Sequence, residues 1–145
     1  MEKIMSIQNH ESMKIADVML PLEKFPVIKK RVILKEALEE MGRSRLGIAC
    51  IIDESNILLG ILTDGDIRRK LLKVQKPFSA FFVDDALDHS IQSPVTILPT
   101  DTLKNAIDLM EAREVWDLPV VDEEGILVGL LHLHKAIQEL LELNA

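Results

Sequence analysis

The chain has 145 residues, 48% apolar and 28% charged, which suits a folded domain with its own core and excludes a disordered chain. A net charge of −7 speaks against a broad nucleic-acid surface, and 3% aromatics with no tyrosine speak against a base-stacking platform. No apolar run approaches the roughly 18 residues of a membrane span, Met1-Glu2-Lys3-Ile4 lacks the apolar core of a signal peptide, and one cysteine, Cys50, allows no intrachain disulfide, so a cytoplasmic protein without membrane contact is expected.

Residues 1–13 are polar and aperiodic and are expected to form a flexible N-terminal arm. Lys14 to Met19 reads as a short helical turn stopped by Pro21, and Pro26-Val27-Ile28 as a short extended piece. Leu34, Ala37, Leu38 and Met41 fall on one face of an amphipathic helix. Residues 48–52 and 57–62 are apolar runs of strand length, joined by the turn Asp53-Glu54-Ser55-Asn56 into a hairpin. Residues 66–73 read as a closing helix with Ile67, Leu71 and Leu72 inward. A linker over 74–85 carries Pro77, Phe78, Phe81 and Phe82 and is apolar enough to pack. The elements then recur: a short helix from Ala86 to Ile91, a strand from Pro94 to Leu98, and a long helix from Thr102 to Met110 capped by Thr100 or Asp101. A hairpin of Val120-Val121 with Ile126 to Leu131 follows, and a last helix from Lys135 to Leu143.

The recurrence is a repeat. Residues 49–62 align without a gap on residues 118–131, at an offset of 69 residues that carries Gly60 onto Gly129. The same offset carries Leu34, Lys35, Ala37, Leu38 and Met41 onto Leu103, Lys104, Ala106, Ile107 and Met110. The chain therefore divides into unit 1 over 14–73, the linker over 74–85 and unit 2 over 86–145. The fold class is α+β, with two β-α-β-β-α units expected to pack about a pseudo-twofold axis and to leave ligand-sized clefts between layers.

Gly60-Ile61-Leu62-Thr63-Asp64-Gly65-Asp66 reads as a strand end, a tight polar turn and a helix start. Thr63, Asp64 and Asp66 supply oxygens there, Gly65 suits an unusual backbone conformation, and the helix start offers free N–H groups. Such a set offers acceptors for ribose hydroxyls and donors for a phosphate. A helix cap accounts for the same residues. Arg68 and Arg69 stand where they could reach a phosphate, but exposed helical arginines are common and are the better reading. In the second unit His132 stands where Thr63 does and Lys135 where Asp66 does; lysine accepts no hydrogen bond from a ribose. Lys135, at a helix start, is expected either to meet an anionic group of the ligand or to point into water. His132 and His134, two apart on a strand, share a face. Lacking a third ligand at recognisable spacing, they read as a structural or ligand-contacting pair, so no metal is expected. Trp116, at the position of Gly47, reads as core or rim, or as a surface stacked on a ligand base. No Walker loop, Gly-x-Ser-x-Gly, His-Glu-x-x-His or Cys-His pairing is present, and no catalytic residue is expected.

The tandem unit, with Gly60-x-x-Thr63-x-x-Asp66 ending its last strand, resembles the CBS domain pair, or Bateman module, over roughly residues 14–143. Leu46-Gly47-Ile48, the run Gly60 to Arg69 and Gly129-Leu130-Leu131-His132-Leu133-His134 resemble the C-terminal CBS pair of arabinose 5-phosphate isomerase-type sugar-phosphate isomerases. The Thr63-to-Arg69 run also resembles CBS pairs attached to some sugar nucleotidyltransferases. The resemblance implies a regulatory module, not an enzyme, that binds an adenosine-type nucleotide (AMP, ADP or ATP) or a nucleotide sugar such as CMP-Kdo. It implies a homodimer and a possible sugar-isomerase catalytic domain or protein as partner. Thr63 and Asp66 match the ribose-contacting positions, Pro26, Val27 and Ile28 the strand lining the base pocket, and Gly47, Ile48 and Ala49 the segment opposite. A dimerisation or interaction module without ligand is the alternative.

Overall fold

The computed structural model describes residues 13–73 and 75–134. The arm expected over 1–13 thus lies, but for Met13, outside the described residues, as do Lys135 and the helix expected from Lys135 to Leu143. In chain order the elements are α1 (Ile15–Val18), β1 (Val27–Lys29), α2 (Leu34–Ser44), β2 (Ile48–Ile52), β3 (Leu58–Thr63), α3 (Asp64–Lys73), α4 (Phe78–Phe82), β4 (Ile91–Gln92), α5 (Leu103–Arg113), β5 (Asp117–Val121) and β6 (Leu127–His132). Single 3-10 turns cover Leu22–Lys24 and Ala86–His89. The offset of 69 holds at both ends of three elements, since α2, β2 and β3 recur as α5, β5 and β6. It holds for backbone conformation as well. Arg45 and Glu114, which end the two long helices, have φ of 58° and 55°, and the hairpin-turn residues Asn56 and Gly125 have 67° and 86°.

The chain forms two compact units. One, residues 22–94 with 125–127, is built on the first repeat. Its four-stranded sheet has the order β1-β2-β3-β4. β1 runs parallel to β2 with Ile28 opposite Ile51, and β3 runs antiparallel to β2 with Thr63 opposite Ile48. β4 pairs with β3, with Gly60 opposite Gln92. β2 is buried along its whole length, as a central strand covered on both faces must be. The apolar stripe of α2 supplies Leu34, Ala37 and Met41 to a core shared with Ala49, Ile51, Leu62 and Ile67. Burial of each large aliphatic contributes about 1.5–3 kcal/mol. The linker does pack: it forms α4, and Phe81 is fully buried in the same core, although Phe78 is exposed. Leu72 departs from expectation, with 83% of its surface exposed. It lies five residues after the buried Ile67 on α3, well round the helix from the inward face, whereas partly buried Leu71 lies one turn on.

The other unit, described over 13–21, 95–124 and 128–134, is built on the second repeat. Its core holds Leu103, Ala106 and Met110 of α5, Leu118 and Val120 of β5, and Leu131 of β6. Ile15 and Val18 of α1 pack into that core, so the short helix expected to open unit 1 packs with the second repeat instead. Backbone bonds fasten it: Ile15 N–H to Asp101 O at 2.9 Å, and a reciprocal pair between Leu20 and Leu130 at 2.8 and 3.1 Å.

Two expectations are corrected here. The strand expected from Pro94 to Leu98 is a single parallel bridge between Ile97 and Val120. This bridge repeats the Ile28–Ile51 pairing of the first unit. It cannot extend because the next bond would need an N–H from Pro119, where Cys50 donates to Pro26 O at 2.9 Å in the first repeat. On the other side Pro99 lacks an N–H as well. The N-cap of α5 is Thr102, not Thr100 or Asp101: its hydroxyl accepts from Asn105 N–H at 3.2 Å.

Candidate functional site

β3 runs directly into α3. Thr63 ends the strand, and Asp64, Gly65 and Asp66 form the first turn of the helix rather than a separate polar turn. Thr63 is the cap: its hydroxyl accepts the Asp66 N–H at 3.2 Å and donates to Asp66 Oδ2 at 2.7 Å. The first bond is a side-chain N-cap, and the second ties the carboxylate of the third helical residue to the capping hydroxyl. Arg69, one turn on, donates from Nη2 to Asp66 Oδ1 at 2.5 Å. Partial burial pushes the Asp66 carboxyl up, but the Thr63 hydroxyl and the Arg69 guanidinium outweigh it and hold the group below the usual carboxylate range. Gly65 is helical, with no left-handed backbone, which corrects the expectation that it serves an unusual conformation. What it provides is space: a Cβ there would lie 3.3 Å from Arg69 Nη1 and 3.4 Å from Nη2.

The residues expected at the ligand site gather at one end of the first-repeat sheet. Pro26 leads into Val27 and Ile28 of β1, Gly47 leads into Ile48 and Ala49 of β2, and Thr63 ends the antiparallel β3 opposite Ile48. Asp64 N–H donates to Gly47 O at 3.0 Å, and the Asp64 carboxylate lies against Gly47, where a Cβ would stand 2.9 Å from Oδ2. A larger residue at 47 would displace Asp64. Ile48, Ala49 and Pro26 are buried, so they shape this end through backbone and apolar surface, while the polar side chains are those of Thr63, Asp64 and Asp66.

The second repeat keeps the frame and changes the chemistry. Leu133 N–H donates to Trp116 O at 2.8 Å, the counterpart of the Asp64–Gly47 bond. Trp116 is 71% exposed and therefore rim, not core; a cavity of about 470 Å³ opens beside it, lined also by Ile107, Val115 and Leu133. His132 Nδ1 and Asp117 Oδ1 are hydrogen-bonded at 2.5 Å. The Asp117 side chain is 14% exposed, and burial raises its carboxyl above the ordinary range although His132 pulls the other way. Sequence reasoning missed Asp117; the available signal was an aspartate at the position of Ile48, opening an otherwise apolar strand. His134 is exposed, its ring 6.4 Å from that of His132. Among the described residues no three histidine, cysteine, aspartate or glutamate side chains are grouped to hold a metal, and no helix is long and apolar enough to cross a membrane.

A family model described as the CBS domain matches residues 15–73 and again 86–142. Arabinose 5-phosphate isomerase KdsD of Yersinia pestis is 32% identical over 126 residues, which are 87% of this chain and 37% of that protein. An uncharacterized protein of Helicobacter pylori is also 32% identical over 126 residues, 86% of this chain and 36% of the relative. The chain thus spans little more than a third of these relatives' length. Among solved structures, CBSX2 in complex with AMP superposes with a TM-score of 0.81 at 25% identity, covering 92% of this chain and 99% of the other. The CBS domain of a bacterial CNNM/CorC family Mg2+ transporter in complex with ATP superposes with a TM-score of 0.76 at 20% identity, covering 97% and 95%, and shows likeness of fold. With both repeats matched across most of the sequence, the chain belongs to the CBS-domain family and carries the domain as a tandem pair.

Proposed function

We propose that this CBS pair is a regulatory module that senses an adenosine-type nucleotide or a nucleotide sugar such as CMP-Kdo, and that it is non-catalytic by itself. The observation that carries the reading is the Thr63–Asp66 pair. It leaves an ionised carboxylate at a sheet end lined by Pro26–Ile28 and Gly47–Ala49. A carboxylate accepts hydrogen bonds from both hydroxyls of a ribose, and the apolar strand starts suit the flat base. Similarity to CBSX2, whose structure was solved with AMP, supports an adenine ligand. Similarity to KdsD over the CBS-pair region supports a sugar-isomerase catalytic domain or protein as the partner that the module regulates. Association of the module as a closed twofold homodimer belongs to the same reading and is checked by light scattering.

Calorimetric titration with AMP, ADP, ATP and CMP-Kdo tests the function. One of these should bind the parent saturably, and Asp66→Ala should weaken it roughly ten- to hundred-fold, the value of a charge-assisted hydrogen bond. Unchanged affinity in Asp66→Ala would reduce the pair to a helix cap. Absence of binding by every nucleotide would favour an interaction module without ligand.

A further inference from the structure

The Asp66 carboxylate is already in use. Oδ2 accepts from the Thr63 hydroxyl and Oδ1 from Arg69. The first bond is part of the helix cap and stays with the fold. The second is a surface contact, with the Arg69 side chain 58% exposed and that of Asp66 22% exposed. Among the other cations of α3, Lys70 reaches away to Asp88 O at 3.3 Å, and Arg68 and Lys73 are exposed. Arg69 alone is laid back over the first turn, its guanidinium resting against Gly65, the residue whose missing side chain makes room for it. An anion at a helix start is favoured by the helix dipole without any cation, so Asp66 does not require Arg69 to remain ionised.

From this arrangement we infer that Arg69 is the specificity residue of the Thr63–Asp66 site: it occupies Asp66 until a ligand's ribose takes its place, then binds the ligand's phosphate. The inference rests on the nucleotide reading given above and names its substrate class, a nucleoside 5′-phosphate rather than an uncharged nucleoside. The magnitudes favour the exchange. An exposed ion pair holds its partners together by no more than about fivefold. A guanidinium–phosphate bond is charge-assisted and planar in its donors, and is worth roughly ten- to hundred-fold in affinity. An uncharged nucleoside must displace Arg69 and gives nothing back; a phosphorylated one recovers the guanidinium at once. Arginine matters beyond its charge, because its fork donates to two oxygens together and lysine donates from one point.

The test compares AMP with adenosine, and CMP with cytidine so that base identity does not decide the result. Titrations use the parent chain and its Arg69→Gln and Arg69→Lys variants, with thermal unfolding to show that each is folded. The parent should prefer the phosphate of the pair it accepts. Arg69→Gln should lose about tenfold in affinity for that phosphate while the nucleoside holds or gains up to about fivefold, and Arg69→Lys should fall between. Equal weakening of nucleotide and nucleoside by Arg69→Gln would mean that Arg69 only holds the site's shape, and would overturn the inference. So would unchanged phosphate binding in Arg69→Gln, with the nucleotide reading left standing. A parent that binds neither AMP nor CMP would overturn the inference, and one that also binds no ADP, ATP or CMP-Kdo would overturn the nucleotide reading with it.

Discussion

Thr63 serves two masters. Its hydroxyl closes the start of α3 through the Asp66 N–H and holds the Asp66 carboxylate by the opposite bond. Thr63→Ala should therefore cost about 1 kcal/mol of stability as a lost cap, whereas Thr63→Ser should retain most of it; urea denaturation of the two variants checks this. Asp117 is the opposite kind of carboxylate, raised because burial outweighs its bond to His132. A raised carboxyl binds its proton more tightly in the folded chain than in the unfolded one. Folding stability from this group is thus whole below the ordinary value of 3.8 and falls as pH rises from there to the raised folded value. Asp117→Asn carries no such penalty. Its stability relative to the parent should improve across that window, on top of a constant loss from the weaker bond to His132. A stability difference that stays flat as pH rises from the ordinary value of 3.8 would count against buried ionisation at Asp117.

At the scale of elements, the sequence was legible wherever burial writes a period. The stripe of Leu34, Ala37 and Met41 foretold α2, and the two apolar runs foretold β2 and β3, because each buries one defined face or strand. The gathering of Pro26–Ile28, Gly47–Ala49 and Thr63 at one sheet end followed from that hairpin and from a parallel β1. What escaped was decided by pairing across space. The direct passage from β3 into α3 has no breaker to announce it, since Gly65 is simply helical. Asp117 is partnered by His132, fifteen residues away, a pairing that no local pattern announces. The stunted strand near Ile97 depends on Pro119, a residue of another element. That last case is testable. Pro119→Ala restores an N–H facing Val95 O, by the repeat's correspondence with Cys50 and Pro26. The gain of a hydrogen bond, about 0.5–1.5 kcal/mol, is offset by the freer unfolded chain, about 0.4–1 kcal/mol. Stability should barely move, while the new amide becomes protected in hydrogen exchange; rapid exchange there would show that the proline is not what ends the pairing.

The whole chain repeats its backbone and not its chemistry. Helix, strands and left-handed turns recur at one offset, so the two sheet ends offer the same frame to a ligand. On that frame the first repeat sets Gly47, Ile48, Thr63 and Asp64, and the second sets Trp116, Asp117, His132 and Leu133. Three of these exchanges remove a part of the first arrangement. Trp116 stands where a side chain beyond hydrogen would push Asp64 aside, and Leu133 replaces that aspartate's carboxylate. His132 replaces the hydroxyl, and its Nδ1 is committed to Asp117. Lys135, at the position of Asp66, has no acceptor to offer a ribose. The expected stoichiometry is therefore one nucleotide for each chain, bound at the first repeat. Calorimetry should give a single binding phase with a molar ratio near one, and Asp66→Ala should weaken that phase roughly ten- to hundred-fold without uncovering another. A ratio near two, or a phase that persists in Asp66→Ala and disappears in His132→Ala, would place a nucleotide on the second repeat and show that its histidine and aspartate replace the ribose acceptor rather than abolish it.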